Sequence, residues 1–274
     1  MRLDIKQRTF FFDGAMGTEL QKLGITSAPV LANLSNPKEV QDVHKQYSEA
    51  GADILTANTF GAYYHNHSNY AQLISAAFNN ARLVHKGLVA LDLGPTGLIL
   101  EPYGTDTTDY VADIFTKTID AGLKNNADLI LIETMMDINE LEIAAGLAKK
   151  TKLPIFGSMS FNENGRTMYG NSIKDIVECL DNLNVDAIGI NCGNGFNNLN
   201  AFAVELLTLT RTPIFMQPNA GLPEMINGAI TYTLTPQDYA SFMLELKEHG
   251  VSILGGCCGT TPEHIKQMVR MCQK

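Results

Sequence analysis

Three cysteines stand at positions where a metal ion could be bound. Cys192 follows the apolar run Ala187–Ile190, and the adjacent pair Cys257 and Cys258 follows the apolar run Ser252–Leu254. Zinc prefers thiolate and imidazole ligands, and a catalytic zinc site supplies three protein ligands while leaving a fourth position open. The three cysteines therefore predict a Zn²⁺ site with room for a substrate.

The residues around the cysteine pair support this interpretation. Gly255, Gly256 and Gly259 give the backbone the freedom for the sharp turn that adjacent ligands of one ion require. The other two cysteines, Cys179 and Cys272, lie on predicted helices and are interpreted as small buried apolar residues. An odd total of five cysteines argues against a disulfide framework. A redox sensor based on a strained disulfide within the pair is an alternative.

A zinc site made of soft thiolates suits the alkylation of a thiol substrate. A free alkyl thiol is mostly protonated at neutral pH, whereas the thiolate is the nucleophile. Binding to zinc deprotonates a thiol, and three thiolate ligands preserve electron density on the substrate sulfur. The cysteines therefore predict the transfer of an alkyl group to sulfur.

Two carboxylates follow apolar runs in the same way as the cysteines. Asp13 comes directly after Phe10–Phe12, and Glu133 comes directly after Asp128–Ile132. A charged residue beside a buried strand needs a partner, and both carboxylates could receive the ammonium group of an amino acid through charge-assisted hydrogen bonds. Asp13 alone could equally serve as a turn or helix-cap residue.

The backbone next to Asp13 and a later asparagine complete the predicted substrate site. The N–H groups of Gly14, Ala15 and Met16 could hold a substrate carboxylate in a nest-like turn. Asn219 follows another apolar run, and it could organise a turn, which is common for asparagine. Alternatively, its amide oxygen could occupy the open zinc position when substrate is absent.

Eight short apolar runs must position these residues, and they are typical of parallel strands that are buried on both faces. Amphipathic segments separate them, and several begin with a capping residue followed by proline, as in Asn36-Pro37, Thr235-Pro236 and Thr261-Pro262. Eight such units without a linker favour a (β/α)8 TIM barrel over an open α/β sheet, with residues 1–274 as one domain. In a barrel the active site lies where the strands end. The runs are Phe10–Phe12, Asp53–Thr56, Leu88–Leu93, Asp128–Ile132, Pro154–Ser158, Ala187–Ile190, Pro213–Gln217 and Ser252–Leu254.

Composition excludes several classes of partner. The formal net charge of -9 offers no basic face for phosphates or anionic lipids, so neither nucleic acid nor a membrane surface is expected to bind. No apolar run reaches membrane-spanning length, and the first residues lack a secretory signal, which predicts a cytoplasmic protein. Dinucleotide, P-loop and serine-nucleophile motifs are absent from the sequence.

Seven motifs together make the chain resemble the homocysteine S-methyltransferase family over nearly its whole length. The resemblance implies zinc on Cys192, Cys257 and Cys258, homocysteine held by Asp13 and Glu133, and formation of methionine on a (β/α)8 barrel. The motifs are Asp13-Gly14-Ala15-Met16-Gly17-Thr18-Glu19, Thr56-Ala57-Asn58-Thr59-Phe60-Gly61-Ala62, Gly94-Pro95-Thr96-Gly97, Glu133-Thr134, Gly189-Ile190-Asn191-Cys192, Pro218-Asn219-Ala220-Gly221 and Gly255-Gly256-Cys257-Cys258-Gly259-Thr260-Thr261-Pro262.

The segment 161–167 looks most like the homocysteine module of cobalamin-dependent methionine synthase. This likeness favours a methylcorrinoid on a separate partner protein as the methyl donor, with S-methylmethionine or S-adenosylmethionine as alternatives. Betaine is disfavoured because the chain has no tryptophan for an aromatic cage around a quaternary ammonium. A homocysteine-binding module that is inactive until its partner docks is a further alternative.

Overall fold

The structure is a computed structural model that describes residues 8–193, 196–226 and 229–273. Ten strands occur in these ranges, and their bounds are β1 (Phe10–Phe11), β2 (Ile54–Thr56), β3 (Leu88–Leu93), β4 (Leu129–Met135), β5 (Ile155–Met159), β6 (Ala187–Asn191), β7 (Ile214–Gln217), β8 (Pro223–Ile226), β9 (Ala229–Tyr232) and β10 (Ile253–Leu254). Eight of them form one parallel sheet in the order β1-β10-β7-β6-β5-β4-β3-β2. Strands β8 and β9 form a separate antiparallel hairpin.

Ten α-helices and three short 3-10 helices are found in the described residues. The α-helices are α1 (Gly17–Lys22), α2 (Ala32–Ser35), α3 (Pro37–Ala50), α4 (Tyr70–Val84), α5 (Thr108–Lys124), α6 (Ile138–Ala148), α7 (Ile173–Leu183), α8 (Leu199–Leu209), α9 (Pro236–His249) and α10 (Pro262–Cys272), and the 3-10 helices are Pro29–Leu31, Lys149–Thr151 and Phe196–Asn198. None of the helices in the described part of the chain combines the length and apolar character needed to cross a membrane.

The predicted helix starts are confirmed at three prolines, which begin α3, α9 and α10. The hydroxyls of Thr235 and Thr261 each accept a hydrogen bond from a backbone N–H in the first turn, as predicted. Asn36 differs, because its side chain makes no capping hydrogen bond and instead accepts one from the Ser35 hydroxyl at 2.9 Å.

The prediction of a (β/α)8 barrel is confirmed. The sheet closes on itself because Phe12 and Ile54 form a parallel bridge and the Asp13 N–H donates to the Ile54 carbonyl at 3.1 Å, which joins the first strand to the second. Closure leaves no free sheet edge and excludes the open α/β sheet. Strand β4 extends beyond the predicted run, so that Glu133 lies inside it, next to a register shift between Ile132 and Met135.

The barrel interior changes from apolar to polar along the strands. A separate apolar cluster fills the barrel toward the amino-terminal ends of the strands. Its members are Phe10, Phe12, Ile54, Ala90, Leu129, Leu131, Phe156, Ala187, Phe215 and Ile253. Side chains alternate between the two faces of a strand, so the next inward positions toward the carboxyl ends are Thr56, Asp92, Glu133, Ser158, Asn191 and Gln217. Hydrogen-bonding groups therefore form the floor of whatever site lies above.

A buried histidine on α3, His44, lies outside the barrel interior. His44 is completely buried, and neither of its ring nitrogens has a hydrogen-bond partner. Burial and, to a smaller extent, the neighbouring His85 together lower the pKa of His44 from 6.5 to about 3. The folded protein therefore keeps His44 neutral at a pH where the unfolded chain would protonate it.

We expect the His44→Leu variant to resist acid better than the wild type. Because the pKa is lower in the folded state, His44 begins to destabilise the fold as the pH drops below 6.5, by about 2 kcal/mol at pH 5. Chemical unfolding of both proteins at pH 7 and pH 5 measures this difference. His249, which is exposed on α9, provides the control variant His249→Gln, and an equal acid response of the wild type and His44→Leu would contradict the assignment.

Candidate active site

A cavity of about 310 Å³ opens at the carboxyl ends of the barrel strands. Its wall contains every residue predicted for the site except Asn219, namely Asp13, Gly14, Ala15, Met16, Glu133, Cys192, Cys257 and Cys258. The barrel thus brings together residues that are spread over most of the sequence.

The three cysteines form a compact cluster in this cavity. The Sγ atoms of Cys192, Cys257 and Cys258 all lie within 4.8 Å of one another, and the described ranges hold no other group of three or more potential metal ligands this close. Hydrogen bonds from Cys192 and Cys257 lower the pKa of Cys258 to about 3. These hydrogen bonds favour a thiolate at Cys258, which suits a soft cation.

The end of β7 holds both cysteine segments in place. The Cys192 N–H donates to the Gln217 carbonyl at 3.2 Å, and the Cys257 N–H donates to the Pro218 carbonyl at 2.8 Å. The Cys258 carbonyl in turn accepts a hydrogen bond from the Ala220 N–H at 2.9 Å. Because β7 lies between β6 and β10, one short segment fixes the relative position of all three thiols.

The backbone at Cys192 adopts a conformation that favours glycine. Cys192 has φ of +55°, and the following Gly193 has φ of +71°. A residue with a side chain in this region costs about 1–2 kcal/mol, and such strain is concentrated at functional sites. The strained turn directs Cys192 toward the cysteine pair.

Asn219 lies beside this turn. Its amide nitrogen donates to the Gly193 carbonyl at 3.2 Å, while its buried amide oxygen has no hydrogen-bond partner. This hydrogen bond reaches the turn after Cys192, and not the turn around Pro218 and Gly221 that Asn219 was predicted to organise. The unpaired oxygen is also what a residue reserved for a metal ion would show.

Asp13 is anchored by the neighbouring strand. Its two carboxylate oxygens accept hydrogen bonds from the N–H and the hydroxyl of Thr56, both at 2.8 Å. Burial raises the pKa of Asp13 to about 7, although the hydrogen bonds from Thr56 act in the opposite direction. The Ala15 N–H donates to the Thr260 hydroxyl at 3.1 Å, so one of the three N–H groups predicted for the nest already has a partner.

Asn191 connects the cysteine cluster to Glu133. Its amide nitrogen lies 3.2 Å from Glu133 Oε2, 2.7 Å from Thr134 Oγ1 and 4.0 Å from Cys257 Sγ. Burial, together with the negative charges of Cys258 and Asp13, raises the pKa of Glu133 to about 8. The cavity therefore concentrates groups that a bound cation would stabilise in their charged forms.

Sequence reasoning missed three residues of this region. Asp92 and Gln217 line the cavity, but each belongs to an apolar run and was taken only as part of a strand. The hydroxyl of Tyr232 on β9 lies within hydrogen-bonding reach of the Cys258 thiol. The dipeptide Asn227-Gly228 is a sequence signal for this hairpin, although those two residues lie outside the described ranges.

A larger and more open depression of about 600 Å³ lies at the opposite end of the barrel. Its carboxylate, Asp181, accepts hydrogen bonds from the hydroxyls of Thr210 and Thr212 at 2.9 and 2.7 Å. These polar groups satisfy one another, and none of the buried side-chain atoms of the described residues that lack a hydrogen-bond partner lies in this depression.

Comparison with known proteins agrees with this geometry. The family model for homocysteine S-methyltransferase matches residues 10–272. The methionine synthases of Mycobacterium leprae and Mycobacterium tuberculosis are each 30% identical to the chain, over 96% of its length. The chain spans only 24% of each of these relatives.

Solved structures agree as well. The apo form of the homocysteine methyltransferase MmuM from Escherichia coli has a TM-score of 0.77 with 27% identity, and covers 98% of both chains. Its oxidized form has a TM-score of 0.81 with 25% identity, over 98% of this chain and 97% of that one. With the family model matching almost the entire length, the chain belongs to the homocysteine S-methyltransferase family.

Proposed function

We propose that this chain binds zinc through Cys192, Cys257 and Cys258 and methylates homocysteine to methionine, with residues 1–274 acting as one homocysteine-binding domain. The observation that carries the proposal is the cluster of three Sγ atoms within 4.8 Å of one another, at the end of the barrel where catalytic residues of this fold lie. Membership of the homocysteine S-methyltransferase family supports the substrate and the reaction.

The residues of the cluster fit zinc. Three sulfur ligands match the donor set of a catalytic zinc site with one position open. Asn219, whose amide oxygen is unpaired, bonds to Gly193 next to Cys192. When bound, zinc lowers the pKa of a thiol that approaches it, so that the thiol sulfur is deprotonated and nucleophilic near neutral pH.

The protein groups around the cluster would hold the rest of the substrate. Asp13 and Glu133 provide buried acceptors for the ammonium of homocysteine, and Thr56 and Asn191 keep these acceptors in position. The backbone at Gly14, Ala15 and Met16, which lines the same cavity, would hold the substrate carboxylate. With its ammonium and carboxylate groups both held, homocysteine would present its sulfur in the orientation needed for attack on the methyl group. Correct orientation accounts for a large part of catalysis.

For the methyl donor we propose a methylcorrinoid carried by a separate partner protein. The two mycobacterial relatives that match over 96% of this chain are methionine synthases, and they are about four times its length. Their remaining length leaves room for donor-carrying parts that the matched region does not include. S-methylmethionine and S-adenosylmethionine are the alternative donors.

We expect the purified chain to contain one zinc ion and to form methionine when supplied with homocysteine and free methylcobalamin. Cys257→Ser removes one of the three ligands and should lose both the zinc and at least 99% of turnover. Elemental analysis and quantification of methionine measure these two outcomes in the same preparations.

Cys179, which is half-buried on α7, provides the control variant Cys179→Ser, and this variant should keep both zinc and turnover. Turnover with S-methylmethionine alone would show that this compound, and not a methylcorrinoid, is the methyl donor. A zinc-free wild type under reducing, zinc-replete conditions would overturn the metal site and favour the redox-sensor alternative.

The turn after the cysteine pair limits the shape of the zinc site. Gly259 has φ of +80°, and a Cβ atom added there would collide with the ring of Tyr232. The same ring brings its hydroxyl close to Cys258. Tyr232 and Gly259 are therefore packed together so that the pair of thiols faces the cavity.

Gly259→Ala should consequently weaken zinc binding at least ten-fold and lower the free energy of unfolding by about 2–4 kcal/mol, since strain and collision add together. Gly146 on α6 is a matched control, because a Cβ atom at this position meets nothing within 4 Å. Gly146→Ala should raise stability by about 0.5–1 kcal/mol without changing zinc affinity. A chelator competition and denaturant unfolding would show the difference, and equal zinc affinity in both variants would refute the role of this turn.

A further inference from the structure

Asp92 is a buried acid in the cavity to which no role has yet been given. It lies on β3 opposite Leu131 of β4, so it faces the barrel interior one inward position below Glu133. The hydroxyl of Thr59 accepts a hydrogen bond from the Asp92 N–H at 3.0 Å and donates to the Asp92 carbonyl at 2.9 Å. The backbone at Asp92 is therefore held on both sides, and its side chain is only 4% exposed.

The Asp92 carboxylate lacks a hydrogen-bond donor. Its Oδ1 atom is buried without any partner, and an unsatisfied buried acceptor is costly. Burial raises the pKa of Asp92 well above its usual range, and the charges of Glu133 and Asp13 add to this effect. Such an arrangement is explained if a positively charged ligand completes it.

The three acids of the cavity differ in how far their own surroundings satisfy them. Both oxygens of Asp13 accept hydrogen bonds from Thr56. Glu133 accepts one hydrogen bond, from Asn191. Asp92 is the one whose side chain has a buried oxygen with no partner.

We propose that Asp92 is a further substrate-binding residue, which receives the α-ammonium group of homocysteine together with Glu133 and Asp13 and so selects thiols that carry an amino group. This inference rests on the function proposed above. An ammonium group has three N–H donors and one positive charge, which matches three clustered carboxyl groups better than it matches two that are already partly occupied.

Selection against other thiols follows from the same geometry. A thiol acid that lacks the amino group would leave Asp92 buried without a donor and Glu133 with only its hydrogen bond from Asn191. Sites built to pair with a polar group of the substrate reject an analogue that lacks the group far more strongly than apolar pockets reject a change in size. Asp92 would therefore contribute to specificity more than to the chemical step.

The test compares two ligands that differ only in the amino group, L-homocysteine and 4-sulfanylbutanoate. Their dissociation constants for the zinc-loaded protein are measured by calorimetry, with the wild type, Asp92→Asn and Asp92→Ser. Loss of a hydrogen bond to a charged group should weaken homocysteine binding about ten-fold to one hundred-fold in both variants. Binding of 4-sulfanylbutanoate should stay within about three-fold of the wild type or become tighter.

Two controls separate this proposal from simple damage to the site. The first control is the zinc content, which is determined for each protein. The second is Asp128→Asn, since Asp128 precedes β4 at its other end and its carboxylate accepts a hydrogen bond from Arg82 at 2.6 Å. This variant should leave the ratio of the two dissociation constants unchanged. An unchanged ratio in both Asp92 variants, with homocysteine still bound by the wild type, overturns the role of Asp92 alone. A wild type that binds zinc but no homocysteine overturns the proposed function as well.

Discussion

The geometry of the site depends on the hydrogen bonds that the end of β7 makes on both sides. The carbonyls of Met216 and Pro218 accept from the segment that follows β10, and the Gln217 carbonyl accepts from Cys192 after β6. Cysteines that are far apart in the sequence are thereby set in one cluster, but only because the parallel barrel makes β6 and β10 the two neighbours of β7. A shift of register in either strand pair would separate the thiols.

The second organising feature is the change from an apolar to a polar interior along the barrel. The apolar layers toward the amino-terminal ends of the strands, with residues such as Phe156 and Phe215, exclude water from that end of the barrel. Above them Asn191 bonds to Glu133, Thr134, Ser158 and Cys257, so the acid and the thiols share one rigid support. Because this polar layer is buried away from water, charges in it interact strongly. The site is consequently poised for ligands that are cationic, such as a metal ion and an ammonium group.

The sequence was sufficient to predict the elements whose signal is local. The eight apolar runs and the prolines at helix starts reflect burial on two faces and backbone preference, and each was found in the expected place. The cysteines were recognisable because a vicinal pair flanked by glycines has few structural uses. Asp92 was missed although the argument applied to Glu133, that a buried charge needs a partner, applies equally inside an apolar run. The contact of Tyr232 with Cys258 depends on how the hairpin folds over the barrel, which no local pattern determines.

X-ray absorption at the zinc edge tests the central claim most directly, because it counts the sulfur atoms around the ion before and after homocysteine is added. Three cysteine sulfurs with one lighter ligand, changing to four sulfurs with homocysteine, is the result predicted by the cluster of Cys192, Cys257 and Cys258. Fewer than three sulfurs in the resting protein, or no additional sulfur at saturating homocysteine, would contradict it.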